Sequence, residues 1–204
     1  ATRECPVLFV PEVARSLLGH LVGAVSGGAL YRRASFLLDH AGKAVLPAWM
    51  SLREEPHLCR GHGSGAFDSE GVATVASDLV RDGVLQRYVL GSYSARKLGL
   101  ESTGNAGGIH NLVANANAGD FADLVSRMGS GLVVTELMGQ GVNLVTGDYS
   151  RGAAGFWVED GALAYPVEEI TIAGNLRQML LGIEAVGSDV DPRSHILCGS
   201  ILLG

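Results

Sequence analysis

Glycines interrupt the most distinctive stretch of this 204-residue chain, which runs from Glu136 to Glu159. A strand core needs apolar alternation, but this stretch places five glycines among polar side chains: Gly139, Gly141, Gly147, Gly152 and Gly155. Glycine inside a strand marks a bulge, a bend or a close approach of another backbone. The stretch therefore predicts a chain that turns often, with tight connections between its strands.

The composition extends this expectation to the whole chain. Hydrophobic residues make up 47% and charged residues 18%, together with 29 glycines, which favours short strands over long helices. The net charge is -6, and no run of cations is longer than the pair Arg32-Arg33. Direct nucleic-acid binding is not expected, because neutralising phosphates requires clustered cations.

The cysteines and the apolar stretches indicate a cytoplasmic protein. Cys5, Cys59 and Cys198 are odd in number and lack Cys-x-x-Cys spacing, so neither a disulfide framework nor a ribbon-type zinc site is predicted. The longest apolar-rich stretch, from Val13 to Leu30, is interrupted by polar residues and glycines, so no membrane span is predicted. We expect residues 1–204 to be one domain of a longer protein whose N-terminal domain is absent, because the chain lacks an initiator Met.

Local signals place the main helices and hairpins. Pro11 predicts the start of a helix that ends near Gly27-Gly28, since proline suits the first helical turn. Asp-Gly pairs at Asp82-Gly83 and Asp160-Gly161 predict two-residue hairpins, the first followed by strand-like residues 84–90. Asp120 predicts the cap of a helix through Arg127 that Gly129 stops.

The remaining segments complete an antiparallel pattern. Strands are predicted at residues 6–10, 132–136, 142–146 and 201–203, and Asn175 predicts a helix cap with the helix reaching Ala185. Residues 54–65 are rich in breakers and are interpreted as a surface loop. The fold class predicted is α+β and strand-rich, with a mostly antiparallel, curled or barrel-like sheet and a few short helices.

Motifs for nucleotide binding and serine catalysis are missing. Gly104 to Gly108 lacks the order of a dinucleotide-binding loop, and no serine lies in a nucleophile elbow. His57, Cys59 and His62 offer a metal cluster as one interpretation and solvated loop residues as the favoured one. His20 lies on the apolar helix and is interpreted as a core or interface histidine, and Cys198 as a small buried hydrophobe.

Two clusters of charged residues along the sequence are candidates for a functional role. Asp68 and Glu70 could act as paired carboxylates, but capping of a turn by Asp68 is favoured. Asp148 and Arg151 flank Tyr149 in a glycine-rich segment, where an Asp-Arg pair could fix the loop. Structural and peptide-contact roles for this trio stay open, because irregular segments often carry function.

The chain resembles the PmbA (TldE) subunits of the TldD/TldE peptidase family over nearly its whole length. The matching segments are residues 67–71, 82–85, 92–98, 102–108, 137–139, 145–152 and 185–187, followed by Asp189. The resemblance implies a strand-rich C-terminal half of a bacterial cytoplasmic protein. It also implies a hetero-oligomer, with a TldD-type subunit, that cleaves unfolded peptides in peptide-antibiotic maturation and antitoxin degradation.

The same resemblance implies that this chain has no catalytic residues and no metal of its own. TldD-type subunits hold zinc with His-Glu-x-x-x-His on a helix plus a later cysteine. The matching positions here are Gly19, His20, Ala24 and Cys198, so both histidines of the motif are replaced. A catalytic zinc needs three protein ligands, and we therefore expect zinc on the TldD-type partner.

The glycine-rich loops that remain are the expected peptide-binding or structural residues: Asn105, His110, Asn111, Asp148, Tyr149 and Arg151. Two alternatives stay open at this point. One is an autonomous metallopeptidase with a non-standard zinc site built on Cys198. The other is an interaction protein that modulates DNA gyrase, a function used as an older label in the family.

Overall fold

The computed structural model describes residues 2–204. Its five helices are α1 Pro11–Ala24, α2 Gly27–Tyr31, α3 Ser92–Leu98, α4 Phe121–Met128 and α5 Leu176–Leu181. Its eleven strands are β1 Val7–Phe9, β2 Leu52–Glu54, β3 Ser77–Arg81, β4 Val84–Leu85, β5 Leu112–Ala114, β6 Gly131–Met138, β7 Asp148–Glu159, β8 Ala162–Asn175, β9 Ile183–Val186, β10 Ile196–Leu197 and β11 Ile201–Leu203.

The strands form two mixed sheets. The larger has the order β8-β7-β6-β1-β11-β9, and the smaller has the order β10-β5-β2-β3-β4. The neighbours are antiparallel except for β1 with β6 and β10 with β5. The prediction of a strand-rich, mostly antiparallel α+β domain is confirmed. Neither sheet closes into a barrel within residues 2–204, because the outer strands of each sheet do not pair with one another.

One hydrophobic core joins the two sheets through α1. Leu17, Leu18 and Leu21 of α1 are buried in the same cluster as Leu52 of the smaller sheet and Val134 of the larger. Burying each such side chain stabilises the fold by about 1.5–3 kcal/mol. A second, smaller cluster lies beneath α4. The position of α1 between the sheets matters for the site, since α1 carries the residues that match the metal motif.

Helix α1 begins where the sequence predicts but ends earlier. Pro11 occupies the first helical turn, and the helix stops at Ala24 rather than near Gly27-Gly28. Gly27 is instead the first residue of α2. A glycine is needed there because a Cβ would collide with the Ser94 side chain of α3. This glycine therefore permits a close contact between two helices and is not a stop signal.

Both Asp-Gly hairpins are confirmed. Asp82 and Gly83 have φ values of 48° and 77°, and Asp160 and Gly161 have 50° and 73°. Positive φ at both central residues is the type I′ geometry that follows the twist of the flanking strands. The second hairpin joins the two longest strands, β7 and β8.

The helix caps are also confirmed. Asp120 accepts hydrogen bonds from the backbone N–H groups of Ala122 at 3.0 Å and Asp123 at 3.2 Å, and Asn175 accepts one from Arg177 N at 3.1 Å. Gly129 follows α4 with a φ of 69°. None of the helices within residues 2–204 has both the length and the apolar character that crossing a bilayer requires.

Three predicted elements are wrong in extent or type. Residues 142–146 form a turn and not a strand, because Asn143 Oδ1 accepts hydrogen bonds from Val145 N at 2.9 Å and Thr146 N at 3.4 Å. Helix α5 ends at Leu181, and the residues expected to continue it form β9. The strand expected over residues 84–90 is limited to Val84–Leu85.

Candidate functional site

A buried carboxylate organises the glycine-rich loop that follows α3. Glu54, at the end of β2, is 2% exposed. Its Oε1 accepts hydrogen bonds from Asn105 Nδ2 at 2.8 Å, His110 N at 2.6 Å and His110 Nδ1 at 2.9 Å. Its Oε2 is paired with the guanidinium of Arg87. Four donors on one buried glutamate satisfy its charge and tie three separate segments to β2.

Arg87 completes this network from the segment after β4. Its Nε donates to Ser77 Oγ at 3.0 Å and its Nη1 donates to Asn105 Oδ1 at 3.1 Å. Thr103 Oγ1 lies 2.7 Å from the same Asn105 oxygen. Arg87 and Glu54 therefore hold the segment from Thr103 to Gly108 through charge-assisted hydrogen bonds to Asn105. Such bonds are about twice as strong as neutral ones.

Sequence reasoning missed both charged members of this network. Glu54 was assigned to a breaker-rich surface loop, whereas it is the last residue of a strand whose other end, Leu52, is fully buried. In the sequence, Leu52 is followed by two charged residues, so no apolar alternation indicates that Glu54 faces the same buried side of β2 as Leu52. For Arg87 the sequence likewise offers no signal.

Asp68 anchors the same loop from the opposite side. Burial raises the pKa of Asp68, but backbone N–H donors from Ala106, Glu70 and Val72 offset this and hold the pKa below its usual value. The distances are 2.9 Å to Ala106 N, 2.9 Å to Glu70 N and 3.0 Å to Val72 N. The prediction that Asp68 caps a turn is confirmed, and no carboxylate pair with Glu70 is formed.

A cavity of about 300 Å³ opens beside the anchored loop. It is lined by the starts of α2 and α3, by Glu70 and Tyr93, and by the loop residues from Asn105 to Gly108. Gly91 is needed in this wall, since a Cβ there would lie 3.0 Å from Ala106 Cβ. The anchored loop thus presents a fixed backbone surface to this cavity.

Asn111 is fully buried and holds a different loop. Its Nδ2 donates to Glu55 O at 2.9 Å and to Ser64 Oγ at 2.7 Å, while its Oδ1 accepts a hydrogen bond from Gly63 N at 2.8 Å. That loop carries His57, Cys59 and His62, all exposed. Within residues 2–204 no three His, Cys, Asp or Glu side chains are grouped so that they could hold a metal ion.

Helix α1 presents the positions that match the metal motif. A Cβ at Gly19 would lie 3.8 Å from Ile196 Cδ1, and Ala24 is fully buried. The Nε2 atom of His20 is buried without a hydrogen-bond partner. Burial, followed by the charge of Arg151, lowers the pKa of His20, so its imidazole is neutral near pH 7.

Cys198 is the remaining candidate donor near α1. It is 1% exposed, and burial raises the pKa of its thiol to about 12, with Arg15 opposing the shift. His20 and Cys198 provide two donors at most, whereas a catalytic zinc takes three protein ligands. The residues at these positions do not fit the zinc site of the motif.

Asp148 and Arg151, which the sequence offers as a possible pair, do not form one. Asp148 Oδ2 accepts a hydrogen bond from Thr146 Oγ1 at 2.6 Å, whereas Arg151 Nε donates to Gly139 O at 3.1 Å. The two side chains lie three residues apart in β7, and an odd spacing puts them on opposite faces of a strand. Arg151 therefore closes the turn before β7 without Asp148.

Tyr149 links β7 to the degenerate motif on α1. It is 3% exposed, and its ring meets that of His20 edge to face with centroids 6.0 Å apart. Burial raises the pKa of Tyr149, with Arg151 opposing the shift. Four of the six predicted site residues therefore lie at two places: Asn105 and His110 at Glu54, and Tyr149 and Arg151 at His20. The other two, Asn111 and Asp148, lie at neither.

Comparisons with known proteins place the chain in a family. Residues 2–204 match the family model described as the PmbA/TldA metallopeptidase C-terminal domain. The chain is 58% identical over 203 residues to Metalloprotease PmbA of Escherichia coli O157:H7, covering 100% of this chain and 45% of that protein. It is 25% identical over 182 residues to the Metalloprotease TldD homolog of Haemophilus influenzae, covering 83% of this chain and 38% of that protein.

Solved structures agree with this placement. A candidate modulator of DNA gyrase from Bacteroides thetaiotaomicron superposes with a TM-score of 0.93 at 31% identity, covering 98% of this chain and 45% of that one. TldE from Thermococcus kodakarensis superposes with a TM-score of 0.86 at 26% identity, covering 98% and 49%. The chain belongs to the PmbA/TldD metallopeptidase family. It spans about half the length of the relatives that it matches.

Proposed function

We propose that this chain is the C-terminal domain of a non-catalytic PmbA/TldE-type subunit. In this role it pairs, in the bacterial cytoplasm, with a zinc-bearing TldD-type subunit and supplies scaffold and a peptide-holding surface. The observation that carries the proposal is the donor set beside α1. Gly19 and Ala24 have no side-chain donor atom, so His20 and Cys198 offer two donors at most, one fewer than a catalytic zinc takes from a protein. Without a metal, these residues cannot lower the pKa of a water molecule toward neutrality.

The outer strand β8 is the surface best suited to hold an unfolded peptide. It is 14 residues long and forms one edge of the larger sheet. An extended peptide can add to such an edge through backbone hydrogen bonds, a mode that tolerates varied side chains.

The peptides expected in this role are those that the family resemblance implies. They are the precursor of a ribosomally made peptide antibiotic and an antitoxin, both cleaved by the two subunits together. Binding at a strand edge suits such substrates, because the edge forms hydrogen bonds with an extended peptide backbone and the peptide does not have to be folded.

Reconstitution tests this function. An unfolded reporter peptide is incubated with the full-length protein, with the TldD-type partner, and with both, and cleavage is followed by mass spectrometry. We expect efficient cleavage only with both subunits, and its loss when a zinc-ligand histidine of the partner is substituted. The matched variant Cys198→Ser in this chain should leave cleavage by the pair within about twofold, since its thiol holds no metal.

An autonomous metallopeptidase is the competing function, and the name of the E. coli relative, Metalloprotease PmbA, favours it. It requires stoichiometric zinc in the purified full-length protein, and loss of that zinc in Cys198→Ser. If elemental analysis gives that outcome and the protein alone cleaves peptides with zinc, our proposal is wrong and the chain belongs to an autonomous metallopeptidase.

A further inference from the structure

Two tyrosines from α2 and α3 pack edge to face, and each carries a cation. The rings of Tyr31 and Tyr93 have centroids 5.7 Å apart at an angle of 83°. The guanidinium of Arg32 lies 5.5 Å from the Tyr31 ring, and Lys97 Nζ lies 5.7 Å from the Tyr93 ring. Tyr93 is 57% exposed, and both cations are exposed. These four residues are called the cationic tyrosine patch.

The patch belongs to two segments whose charged residues are all basic, although the chain as a whole is acidic. Residues 27–33 and 92–98 contain four cations, Arg32, Arg33, Arg96 and Lys97, and no Asp or Glu, whereas the whole chain has a net charge of -6. The carboxylate of Glu70 accepts a hydrogen bond from Ser92 N at 2.7 Å, at the end of α3 opposite to Lys97. The tertiary structure therefore assembles a charge cluster that neither segment forms alone.

Arg96 and Lys97 lie in the last turn of α3, where cations favour the helix dipole, but no carboxylate within residues 2–204 forms an ion pair with any of the four cations. Ion pairs within residues 2–204 use other arginines, namely Arg15, Arg53, Arg81, Arg87 and Arg193, and none uses the four cations of the patch region. The tyrosine faces hold Arg32 and Lys97 in place at a modest energetic gain, which reduces the entropy lost when they bind an anion. The patch is thus charged and exposed, and its two cations already lie over the tyrosine rings when no ligand is bound.

We propose that the cationic tyrosine patch binds acidic segments of unfolded peptides. This inference rests on the proposed function and deepens it by naming the substrate class. Carboxylates complement the cations, and the aromatic rings offer apolar contact to the rest of an extended chain. A nucleic acid is a poorer fit, because four cations on a chain of net charge -6 neutralise few phosphates.

Fluorescence anisotropy on the full-length protein tests the inference. The probe is a labelled, unstructured peptide of alternating Asp and Gly, and its control replaces each Asp with Asn. The variant Arg32→Glu/Lys97→Glu is compared with Arg127→Glu/Arg177→Glu, which makes the same change in net charge at two exposed arginines elsewhere. At about 50 mM salt we expect the patch variant to bind the Asp peptide about tenfold more weakly and the control variant less than about twofold.

The outcomes separate this inference from the proposed function. Equal weakening by the two double variants, equal binding of the Asp and Asn peptides, or stronger binding of a single-stranded oligonucleotide than of the Asp peptide would each overturn it. Cleavage of a neutral peptide by the two subunits together would then still support the proposed function. If that cleavage fails while the patch variant alone loses the Asp peptide, the proposed function is wrong and the acidic-peptide surface remains.

Discussion

Substituting the buried carboxylate of Glu54 should destabilise the whole domain. Glu54→Ala removes the acceptor of four hydrogen bonds and leaves the guanidinium of Arg87, whose side chain is 17% exposed, without its carboxylate. Removing one partner of a buried ion pair costs about 3–5 kcal/mol, which is a large share of a total stability of about 5–15 kcal/mol. Urea unfolding followed by tryptophan fluorescence measures the loss.

A double-mutant cycle separates the ion pair from the other contacts of Glu54. Glu54→Gln keeps an oxygen for Asn105 and His110 but places an amide N–H group opposite Arg87. We expect Glu54→Gln and Arg87→Gln each to cost about 1–3 kcal/mol, and the double variant to recover at least about 1 kcal/mol of their sum. The matched control is Arg53→Gln in the same strand, whose side chain is 49% exposed and should cost under about 1 kcal/mol.

The anchored loop gives a second, local readout of the same substitution. Hydrogen exchange should speed up at the amides of residues 103–108 in Glu54→Gln and stay unchanged in Arg53→Gln. A cost below about 1 kcal/mol for Glu54→Ala, with unchanged exchange in this loop, would refute the reasoning that a buried charge holds the loop in place.

Three further outcomes follow from single residues. Because burial raises the thiol pKa of Cys198 from 9.0 to about 12 on folding, the unfolded chain ionises first and stability falls above pH 9, by about 3 kcal/mol at pH 11 from this group. Cys198→Ala should lose that dependence in urea titrations at pH 8 and pH 11. Because folding lowers the pKa of His20, stability falls as pH drops through about 6.5, and His20→Phe should flatten this acid limb relative to wild type, whereas the exposed His62→Gln should not. Asp120→Ala should cost about 0.5–2 kcal/mol in urea unfolding by removing the cap of α4, and an equal cost for Asp120→Asn would contradict a capping role.

Elements specified by their own residues could be predicted from the sequence. The Asp-Gly pairs at residues 82–83 and 160–161 fix their hairpins because both residues adopt positive φ at low cost. Asp120 and Asn175 cap helices through hydrogen bonds that span only two or three residues. Each of these signals acts within one turn of the chain and needs no distant partner.

Elements that depend on distant contacts were predicted incorrectly or missed. The sequence predicts that α1 ends near Gly27, whereas Gly27 is the first residue of α2 and is a glycine because Ser94 approaches it closely. The sequence allows a pair between Asp148 and Arg151, but the alternation of the long β7 strand separates the two side chains. Glu54 was placed in a loop because its partners, Arg87 and Asn105, lie more than 30 residues away along the chain.

The sequence by itself determined the turns, the caps and the lack of a side-chain donor atom at Gly19 and Ala24, since each of these depends on residue identity at one position or on neighbours within a turn. Only the tertiary structure decided that Glu54 collects four donors from residues far away along the chain. It also decided that Arg32 and Lys97 share one surface. The reason is that burial and charge interactions depend on distances in space, which the order of residues along a chain does not fix.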